Sequence, residues 1–581
     1  NQAQRLARYL AALRNVDGAP RLTLGLQNGA VPEGWHYADP ETWEPTGRTG
    51  EYHFPFFMCP EPACGAPLAI AAGINGAPDT LQCKGCGWEF DGWIGTKQAL
   101  RATPPTLFLP TTESLHQWLN DSRYGALFGD GGSGPRCILA DEIHLYTHIQ
   151  GAQIGYGLRR LLGRCALNGD APIAVGMSAT LGRPAHVWHQ LVGGSEPLLI
   201  EPLPAERKPN PKGREYFYFV QPEVESRNRD VAGASTTIQA AMALAHNMHR
   251  RHGSEGGFRG IVFVDSIDKL KRLHGNYMDA EVGQSLASLR TRIYPDHPAT
   301  GLPRRACCGD PLGCDLFRDG ECWTFAATDQ RQWTARGPYI PGNPLSVARF
   351  PVYSGSSARI ETEIQRSDLV FSTASLEVGY DDPDMAFVYQ HYAPSNLASF
   401  VQRKGRGGRG NDDRPVTGIT LSIYSARDSW YYRRPTALLD SRGFEVPLNL
   451  SNPIVSRGQL ATLLLDLIAR REVLRLPAIG SGGHPSGEIV SEFSEACSRL
   501  FDDDPFTRLG YADAEAFIRD ITSKFGTFPT DEHARTRRAR IEWVPRTLFG
   551  AADLPSVDIR VPIHGGDPII KSEDISLGLG A

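Results

Sequence analysis

The stretch "CILADEIHLYTHIQGAQIGYGLRRLL", residues 137–162, joins a short apolar run to two adjacent carboxylates and then to a helical apolar pattern. The run Cys137–Ala140 predicts a buried strand, and the apolar spacing after His144 predicts a helix that packs on the sheet. Asp141 and Glu142 therefore follow the carboxyl end of a strand, where open parallel sheets build their sites.

This carboxylate pair suits a hard cation and a water molecule. Asp141 can hold Mg²⁺ through its hydration shell, because Mg²⁺ keeps several of its waters in proteins. Glu142 can orient or deprotonate the water that attacks in phosphoryl transfer. The alternative is a solvated turn at the end of a strand, and an isolated Asp-Glu pair is usually such a turn.

Alternating strand and helix signals continue on both sides of this stretch. The strand candidates are "TLFLP", "CILA" and "IAVGMSAT" in a first block and "GIVFVDS", "LVFSTAS", "MAFVYQHYA" and "VTGITLSIY" in a second. Helical patterns such as "ESLHQWL" separate them, and "RGQLATLLLDLIARREVL" predicts a later core helix. Two such blocks predict an α/β protein with two parallel-sheet domains.

Length and composition agree with a globular protein of several domains. The chain has 581 residues, of which 41% are hydrophobic and 22% charged, and this length predicts three to five domains. The predicted regions are an accessory region (1–103), the second half of a first lobe (104–205), a linker (206–235), a second lobe (236–435) with a Cys-rich insert (295–350), and a mainly helical C-terminal accessory region (436–581).

Two further motifs lie at the ends of predicted strands or in Gly-rich loops. "GMSAT" places Ser178 and Thr180 after a strand, where their hydroxyls could hydrogen-bond the carboxylate site. "VQRKGRGGRG" presents Arg406 and Arg409 among glycines, an arrangement suited to neutralising charge on a transferring phosphoryl group. A flexible Gly/Arg loop or a basic RNA-binding loop is the alternative for the second motif.

The motifs occur in the order DEIH, SAT, "GIVFVDS", "VYSG", "FSTASLEVGYD" and "QRKGRGGR". This ordered set, within residues 104–430, resembles the superfamily 2 helicases. The resemblance implies two RecA-like lobes that clamp ATP, with Mg²⁺ as cofactor and ATP hydrolysis as the activity. It implies that Asp141 holds Mg²⁺, that Glu142 activates water, and that His144, Ser178 and Thr180 couple hydrolysis to movement of the lobes.

The same resemblance assigns residues of the second block. It implies that Gln402, Arg403, Gly379 and Asp381 approach the nucleotide and that Arg406 and Arg409 are arginine fingers. Contacts to the nucleic-acid strand would come from loop hydroxyls, and the matching candidates are Thr111, Thr112, Ser266, Ser354 and Thr373. Such hydroxyls suit phosphate contacts that carry no sequence preference, and each could instead be an ordinary turn or cap residue.

One element of that family has no counterpart in the sequence. The phosphate-binding pattern GxxxxGK[ST] occurs nowhere in the 581 residues. "FGDGGSGPR" is rich in glycine, but it has no lysine and directly precedes the Asp-Glu strand. We expect the phosphate loop to lie upstream of residue 1; a protein without it would be an inactive scaffold.

Cysteine spacing predicts a structural zinc site. Cys59 and Cys64 are separated by four residues and Cys83 and Cys86 by two, and each pair is followed by a glycine. Two such pairs are typical of a four-thiolate zinc ribbon, with free buried cysteines as the alternative.

A second cysteine group has less regular spacing. It contains Cys307, Cys308, Cys314 and Cys322, and His297 could replace one ligand. This group predicts a second metal site, whereas redox-active thiols or a 4Fe–4S centre remain alternatives.

A finer resemblance rests on three longer stretches. "DSRYGALFG", "GIVFVDSIDKLKRL" and "STASLEVGYDDPD", together with the extended DEIH segment, resemble the DrmA helicases of DISARM antiphage defence systems. They resemble the YprA/MrfA-type repair helicases more loosely. The first resemblance implies DNA as substrate, single-stranded or with a single-stranded overhang, a DrmB-like partner subunit and a role against phage DNA. A stand-alone repair helicase and a non-catalytic helicase-like scaffold are the alternatives.

Net charge and apolar patterning bear on partners and compartment. The net charge of −5 leaves no global positive surface for nucleic acid, although a local basic channel remains possible. No apolar run approaches the 18 residues of a membrane span, so no membrane partner is expected. Eleven cysteines, mostly clustered, without an export signal predict a cytoplasmic protein.

Overall fold

The structure is a computed structural model of the chain. It describes residues 2–61, 63–74, 76–169, 171–178, 181–201, 215–222, 233–247, 259–284, 346–350, 363–364, 366–377, 380, 382, 384–394, 397–408, 415–439, 448–476, 485–525, 559–560 and 569–570. The chain forms two compact units. The first unit comprises residues 3–54, 59–201 and 442–581, and the second comprises residues 1–2, 55–58 and 202–441.

Strands and helices alternate through most of the described residues. The strands are β1 (Leu24–Gln27), β2 (Glu51–His53), β3 (Leu68–Ala71), β4 (Asp79–Cys83), β5 (Glu89–Ile94), β6 (Leu107–Pro110), β7 (Cys137–Ala140), β8 (Ile173–Gly176), β9 (Tyr216–Val220), β10 (Arg259–Val264), β11 (Val347–Phe350), β12 (Leu369–Ser372), β13 (Met385–His391), β14 (Val416–Thr420), β15 (Ile559–Arg560) and β16 (Ile569–Ile570).

The helices are α1 (Gln2–Leu13), α2 (Lys97–Ala102), α3 (Thr112–Trp118), α4 (His148–Ala166), α5 (Pro184–Val192), α6 (Ala234–Asn247), α7 (Ile267–Met278), α8 (Leu397–Lys404), α9 (Ala426–Arg433), α10 (Pro453–Val473), α11 (Gly487–Leu500), α12 (Pro505–Leu509) and α13 (Ala514–Phe525). None of the helices formed by the described residues has both the length and the apolarity that a bilayer span requires.

The second unit contains one six-stranded sheet in the order β11-β12-β10-β13-β14-β9. Every pairing in it is parallel. Successive residues of β10 point to opposite faces, so Val262 and Val264 pack in one core with α6 and α7, and Ile261 and Phe263 pack in another. Burial on both faces explains why these strands are continuously apolar, and the predicted α/β class with parallel sheets is confirmed.

The first unit contains a mixed sheet in the order β2-β3-β4-β5-β1-β6. Strand β1 pairs in parallel with β5 and β6, whereas β2 to β5 form antiparallel pairs. The cysteine-bearing segment is therefore built into the sheet that also contains "TLFLP". Strands β7 and β8 form a separate parallel pair, with Cys137 opposite Ile173 and Ala140 opposite Gly176.

The C-terminal helices pack in the first unit against α4, the helix that follows the Asp-Glu pair. Most residues of α10 are buried, and its leucines share a core with Tyr156 of α4 and with α11 and α13. The Tyr156 hydroxyl also donates to the carbonyl of Leu450 over 2.6 Å, and His148 forms an isolated parallel bridge with Leu448. The chain thus returns from the second unit onto the segment beside the candidate site.

A buried charged network joins α4 to α10. The guanidinium of Arg160 binds Asp466 through two hydrogen bonds, of 2.7 and 2.9 Å, and both side chains are almost fully buried. Arg160 also contacts Gln459 and the ring of His116 at 3.1 and 3.0 Å. One turn further along α4, Arg164 pairs with buried Asp130. These contacts satisfy charges that would otherwise be costly to bury.

Several predicted features lie outside the described residues. The second cysteine group, Cys307, Cys308, Cys314 and Cys322, and the alternative ligand His297 are among them. Most of the Cys-rich insert (295–350) and most of the linker (206–235) are also outside the described residues. Their described parts include β11 and β9, which belong to the sheet of the second unit, and the rest remain predictions.

Candidate active site

The parallel pairing of β7 and β8 brings the DEIH and SAT motifs to one edge. The Ile143 N–H donates to the carbonyl of Met177 over 3.1 Å, and the Met177 N–H donates to the carbonyl of Ala140 over 2.8 Å. Because the two strands run in the same direction, their carboxyl ends coincide. The turn that bears Asp141 and Glu142 therefore lies next to the segment that bears Ser178.

Glu142 adopts an uncommon backbone conformation. Its φ of 51° and ψ of 44° lie in the left-handed region, which glycine occupies more readily than glutamate. The Glu142 N–H donates to Asp141 Oδ1 over 3.0 Å, which links the two carboxylate residues within the turn. His148, where α4 begins, also has a positive φ, of 56°. Residues held in such conformations concentrate at functional sites, and each typically costs about 1–3 kcal/mol.

Close packing stabilises the turn that lies between Glu142 and His148. A Cβ on Gly151 would lie 2.4 Å from the Tyr146 carbonyl and 2.7 Å from the Leu448 side chain. Only glycine therefore lets the first turn of α4 approach the segment after Glu142 so closely.

His144 connects the two motifs through its side chain. Its Nδ1 lies 2.9 Å from Ser178 Oγ and 3.3 Å from Glu142 Oε2, and the side chain is fully buried. Burial lowers the pKa of His144, and the nearby charge of Asp141 only partly opposes this effect. The imidazole is therefore neutral at pH 7, and the contact with Glu142 is a hydrogen bond or close polar contact rather than an ion pair.

The Gly-rich stretch before β7 has a structural role in the first unit. Asp130 of "FGDGGSGPR" is buried, pairs with Arg164 and accepts a 2.8 Å hydrogen bond from Asn168. A phosphate-binding loop presents backbone N–H groups and a lysine to the anion, whereas this stretch points a carboxylate at an arginine. The structure thus agrees with the sequence in giving this loop no phosphate-binding chemistry.

In the second unit, Arg403 of α8 is held by two carboxylates. Its Nε donates to Glu377 over 2.9 Å and its Nη1 donates to Asp265 over 2.6 Å, with the guanidinium 5.3 Å from the centroid of the Phe263 ring. Burial opposes ionisation of Arg403, but the charges of Asp265 and Glu377 raise its pKa overall. These two carboxylates hold the Arg403 guanidinium inside the second unit. Contact of Arg403 with nucleotide therefore stays a prediction.

Sequence reasoning missed Asp265 and Glu377 as partners of Arg403. Both follow the ends of neighbouring parallel strands, β10 and β12, and both lie inside quoted motifs, "GIVFVDS" and "STASLEVGYD". Asp265 directly follows β10 and Glu377 lies five residues after β12. Acidic residues in the loops after two adjacent parallel strands are a signal that could have found them.

Arg406 and Gln402 lie one helical turn apart at the end of α8. Arg406 is buried and donates to the carbonyl of Tyr380, and its Nη2 lies 3.5 Å from Gln402 Oε1. The two side chains therefore lie close together. Their roles at the nucleotide stay predictions.

Other predicted site residues lie outside the described part of the chain. They are Thr180, Ser354, Gly379, Asp381 and Arg409.

The candidate strand-contact hydroxyls cap local turns. Thr111 accepts from the Ser114 N–H over 3.2 Å, Ser266 from the Lys269 N–H over 3.5 Å and Thr373 from the Ser375 N–H over 3.4 Å. Thr112 is the first residue of α3. Capping explains these residue types locally, so their contact with nucleic acid stays a prediction.

Four cysteines of the first unit converge on one point. The Sγ atoms of Cys59, Cys64, Cys83 and Cys86 all lie within 4.8 Å of one another. Cys59 and Cys86 are 3.6 Å apart, as are Cys64 and Cys83. A disulfide would bring two sulfurs to about 2.05 Å, whereas zinc–sulfur bonds of about 2.3 Å in a tetrahedron place them about 3.8 Å apart. The donor set therefore fits a four-thiolate zinc ion.

The backbone around Cys83 favours its thiolate. Burial raises its pKa, but N–H groups of Cys86 and Gly85 donate to the sulfur, and the pKa falls to about 7. The pKa of Cys59 is raised, chiefly by burial, and the pKa of Cys64 is also raised, so Cys83 is the cysteine of this cluster that most readily becomes a thiolate.

Comparison with known proteins finds relatives among ATP-dependent helicases. The chain is 27% identical over 337 residues to the "Uncharacterized ATP-dependent helicase YprA" of Bacillus subtilis (strain 168), a match that covers 58% of this chain and 36% of that protein. It is 24% identical over 339 residues to the "Lhr helicase/uracil glycosylase" of Escherichia coli (strain K12), covering 57% of this chain and 19% of that protein. The chain thus spans about a third or less of these relatives.

No protein-family profile matches the chain. Among solved structures, the "DUF1998 helicase MrfA bound to DNA" aligns with 69% of this chain and 43% of its own length, at 17% identity and a TM-score of 0.41. Over rather more than half of its length, the chain is therefore similar in sequence to proteins described as helicases, one of them as ATP-dependent.

Proposed function

We propose that this protein is a Mg²⁺-dependent, superfamily 2 ATPase that moves on or remodels DNA. The observation that carries the proposal is the contact of His144 with both Glu142 and Ser178 at the shared edge of β7 and β8. Through the neutral, buried ring of His144, this contact connects Glu142, the carboxylate proposed to act in hydrolysis, to Ser178 of the SAT motif. The sequence similarity to ATP-dependent helicases supports the same activity.

The chain's own residues would divide the chemistry as follows. Asp141 would hold Mg²⁺ through its hydration shell and so place positive charge beside the phosphates of ATP. Glu142 orients and deprotonates the attacking water, a task suited to a half-buried carboxylate on a rigid turn. The resemblance to superfamily 2 helicases assigns Arg406 and Arg409 the role of supplying positive charge to the transferring phosphoryl group.

Ser178→Ala is expected to uncouple ATP hydrolysis from strand separation. It removes the 2.9 Å contact with His144, a hydrogen bond worth about 1 kcal/mol, and leaves both carboxylates in place. We expect the number of base pairs separated per ATP to fall several-fold while DNA-independent turnover changes little. Parallel measurement of ATP hydrolysis and of unwinding of a labelled duplex tests this expectation.

Ser178→Thr is the matched control, because it keeps a hydroxyl at the same position. It should preserve the wild-type ratio of unwinding to hydrolysis. An equal fall of both activities in Ser178→Ala would assign the serine to hydrolysis itself rather than to coupling.

We also propose that Cys59, Cys64, Cys83 and Cys86 hold one Zn²⁺. The four sulfurs have the spacing of a tetrahedral site, and two of the cysteines lie in tight glycine-bearing turns. Zinc would tie together β3, β4 and the segment before them, because such sites contribute directly to folding.

Cys83→Ser is expected to lower bound zinc from about one ion per chain to near zero. Proteolysis within residues 51–94 should then accelerate, since metal binding and local folding are linked. Elemental analysis and limited proteolysis measure the two effects. Cys165→Ser, which changes a buried cysteine of α4 outside the cluster, should keep the zinc, and loss of zinc from that variant as well would refute the assignment.

A role in antiphage defence with a DrmB-like partner is the finer proposal. The supporting evidence is the set of stretches that resemble DrmA helicases, namely the extended DEIH segment, "GIVFVDSIDKLKRL" and "STASLEVGYDDPD". Phage plating on cells with the wild-type protein or Glu142→Gln, together with co-purification, tests it. Equal plating efficiency and no associated subunit would favour the stand-alone repair helicase.

A further inference from the structure

An exposed group of aromatic and arginine side chains follows strand β14. The Trp430 surface, as we define it, lies in residues 424–434 and consists of Tyr424, Arg427, Trp430, Tyr432, Arg433 and Arg434. Tyr424, Trp430 and Tyr432 are 51%, 45% and 43% exposed, so three large rings reach solvent within a short segment of the chain. This exposure needs an explanation that the ATPase site does not provide.

The geometry of α9 places three residues of the group along one face. Arg427, Trp430 and Arg433 are spaced three residues apart, so they follow one stripe of the helix. The Arg434 guanidinium lies 5.4 Å from the centroid of the Trp430 ring. Positive groups therefore flank the indole along the stripe.

The charge of this segment is one-sided at its surface. Asp428 is the sole acidic residue among residues 422–435, and it is 1% exposed. Its carboxylate accepts from the N–H groups of Ser422 and Ala393 over 3.0 and 3.4 Å. The acid thus anchors α9 internally, and its Oδ1 also lies 3.6 Å from the Nε of Arg427. Arg433 and Arg434 therefore supply most of the positive charge that this segment offers to a ligand.

The anchor also fixes where the surface lies in the second unit. Ser422 follows β14 and Ala393 follows β13, so Asp428 ties the start of α9 to the carboxyl ends of two neighbouring parallel strands. Arg427 donates to the Ala393 carbonyl over 2.6 Å and reinforces this attachment. Ser266 and Thr373, two of the predicted strand contacts, follow β10 and β12 at the same edge of the sheet.

We propose that the Trp430 surface binds single-stranded nucleic acid, with a base stacked on Trp430 and phosphates held by the arginines. The choice of substrate class rests on the proposed function. Base–aromatic stacking tolerates any sequence, and arginines beside the ring add cation–π and phosphate contacts. A rigid helix with exposed rings and positive exposed charge complements a flexible polyanion with flat bases.

Binding of a fluorescein-labelled oligothymidylate of about 20 nucleotides, longer than common single-strand site sizes, tests the proposal. Anisotropy is recorded on the whole protein without nucleotide. Trp430→Ala should raise the Kd by about 5- to 160-fold, the effect expected from loss of one stacking aromatic. Trp430→Phe keeps a ring and should stay close to wild type. Arg433→Ala should reduce the slope of log Kd against log salt by about one.

Tyr37→Ala is the matched control. Tyr37 is 72% exposed and belongs to the other unit, so its loss should leave binding unchanged. Wild-type affinity in Trp430→Ala would overturn the proposal and leave a protein partner as the explanation of the exposed rings. Equal weakening in Tyr37→Ala would also overturn it, because binding would then be non-specific.

The result of the binding experiment does not depend on whether the ATPase proposal is correct. Binding is measured without ATP, so it does not depend on hydrolysis. Trp430→Ala should also retain DNA-independent ATP turnover, while its stimulation by DNA declines. An inactive ATPase would instead appear as absent turnover in the wild type, whatever residue stands at position 430.

Discussion

Glu142→Gln is expected to lower ATP turnover by about 10²- to 10⁴-fold, the usual contribution of a general base. Glutamine keeps the size of the side chain but cannot accept the proton of the attacking water. Asp141 remains, and with it the binding of Mg²⁺ and ATP. Steady-state phosphate release measures the turnover, and binding of a fluorescent ATP analogue measures the affinity, which should change by less than about threefold if Glu142 acts mainly in the transition state.

Glu495→Gln provides the control for this experiment. Glu495 is an exposed carboxylate of α11 that pairs with Arg499, far along the chain from the candidate site. It should hydrolyse ATP like the wild type. Full turnover in Glu142→Gln would remove the residue from the reaction and leave the Asp-Glu pair as a solvated turn at a strand end.

Asp466→Leu is expected to destabilise the first unit by about 3–5 kcal/mol, because it leaves the Arg160 charge buried without its carboxylate. Arg160 and Asp466 are 0% and 4% exposed in their side chains and make two hydrogen bonds with each other. Amide hydrogen exchange of α4 and α10 measures the loss of protection in each helix separately. A measurement of this kind is needed because the two units of the chain need not unfold together.

The double variant Arg160→Met with Asp466→Leu should recover most of this protection. Replacing both members of a buried pair with apolar residues is often neutral, whereas removal of one member is not. Arg499→Met, which breaks an exposed pair, should cost less than about 1 kcal/mol. A similarly small effect of Asp466→Leu would mean that the pair does not fasten α10 to α4.

Much of the second unit was predictable, because its strands are buried on both faces. Runs such as "GIVFVDS" and "MAFVYQHYA" have no polar alternation, and a parallel sheet with helices on both sides requires this pattern. The continuous apolar runs therefore made β10 and β13 predictable from the sequence. They also made it predictable that Asp265 and Ser266 lie at the end of a strand. The antiparallel extension of the first sheet was less visible, since β2 to β5 are short and lie between irregular segments.

The packing of the C-terminal helices could not be derived from the sequence. The apolar pattern of α10 predicts burial, but it does not identify the surface that covers it. Arg160 and Asp466 are separated by 306 positions, and a helical segment with two adjacent arginines would ordinarily be placed at the surface. Only the three-dimensional contact explains why "GLRRLL" carries charge in a buried helix.

The candidate active site was partly predictable for a similar reason. The motif order indicated that His144 and Ser178 belong to one site, and the parallel pairing of β7 and β8 places them in contact. The left-handed backbone of Glu142 gave no sequence signal, because a tertiary contact rather than a glycine holds it there. The same holds for Arg403, whose motif indicates a basic residue but not its two acidic partners.

ATP hydrolysis by the whole protein, with and without single-stranded DNA, tests the central claim most directly. We predict Mg²⁺-dependent turnover that rises when DNA is added and that chelation of Mg²⁺ abolishes. Absence of turnover under both conditions, in protein shown to bind DNA, would contradict the account and identify the chain as part of a helicase-like scaffold.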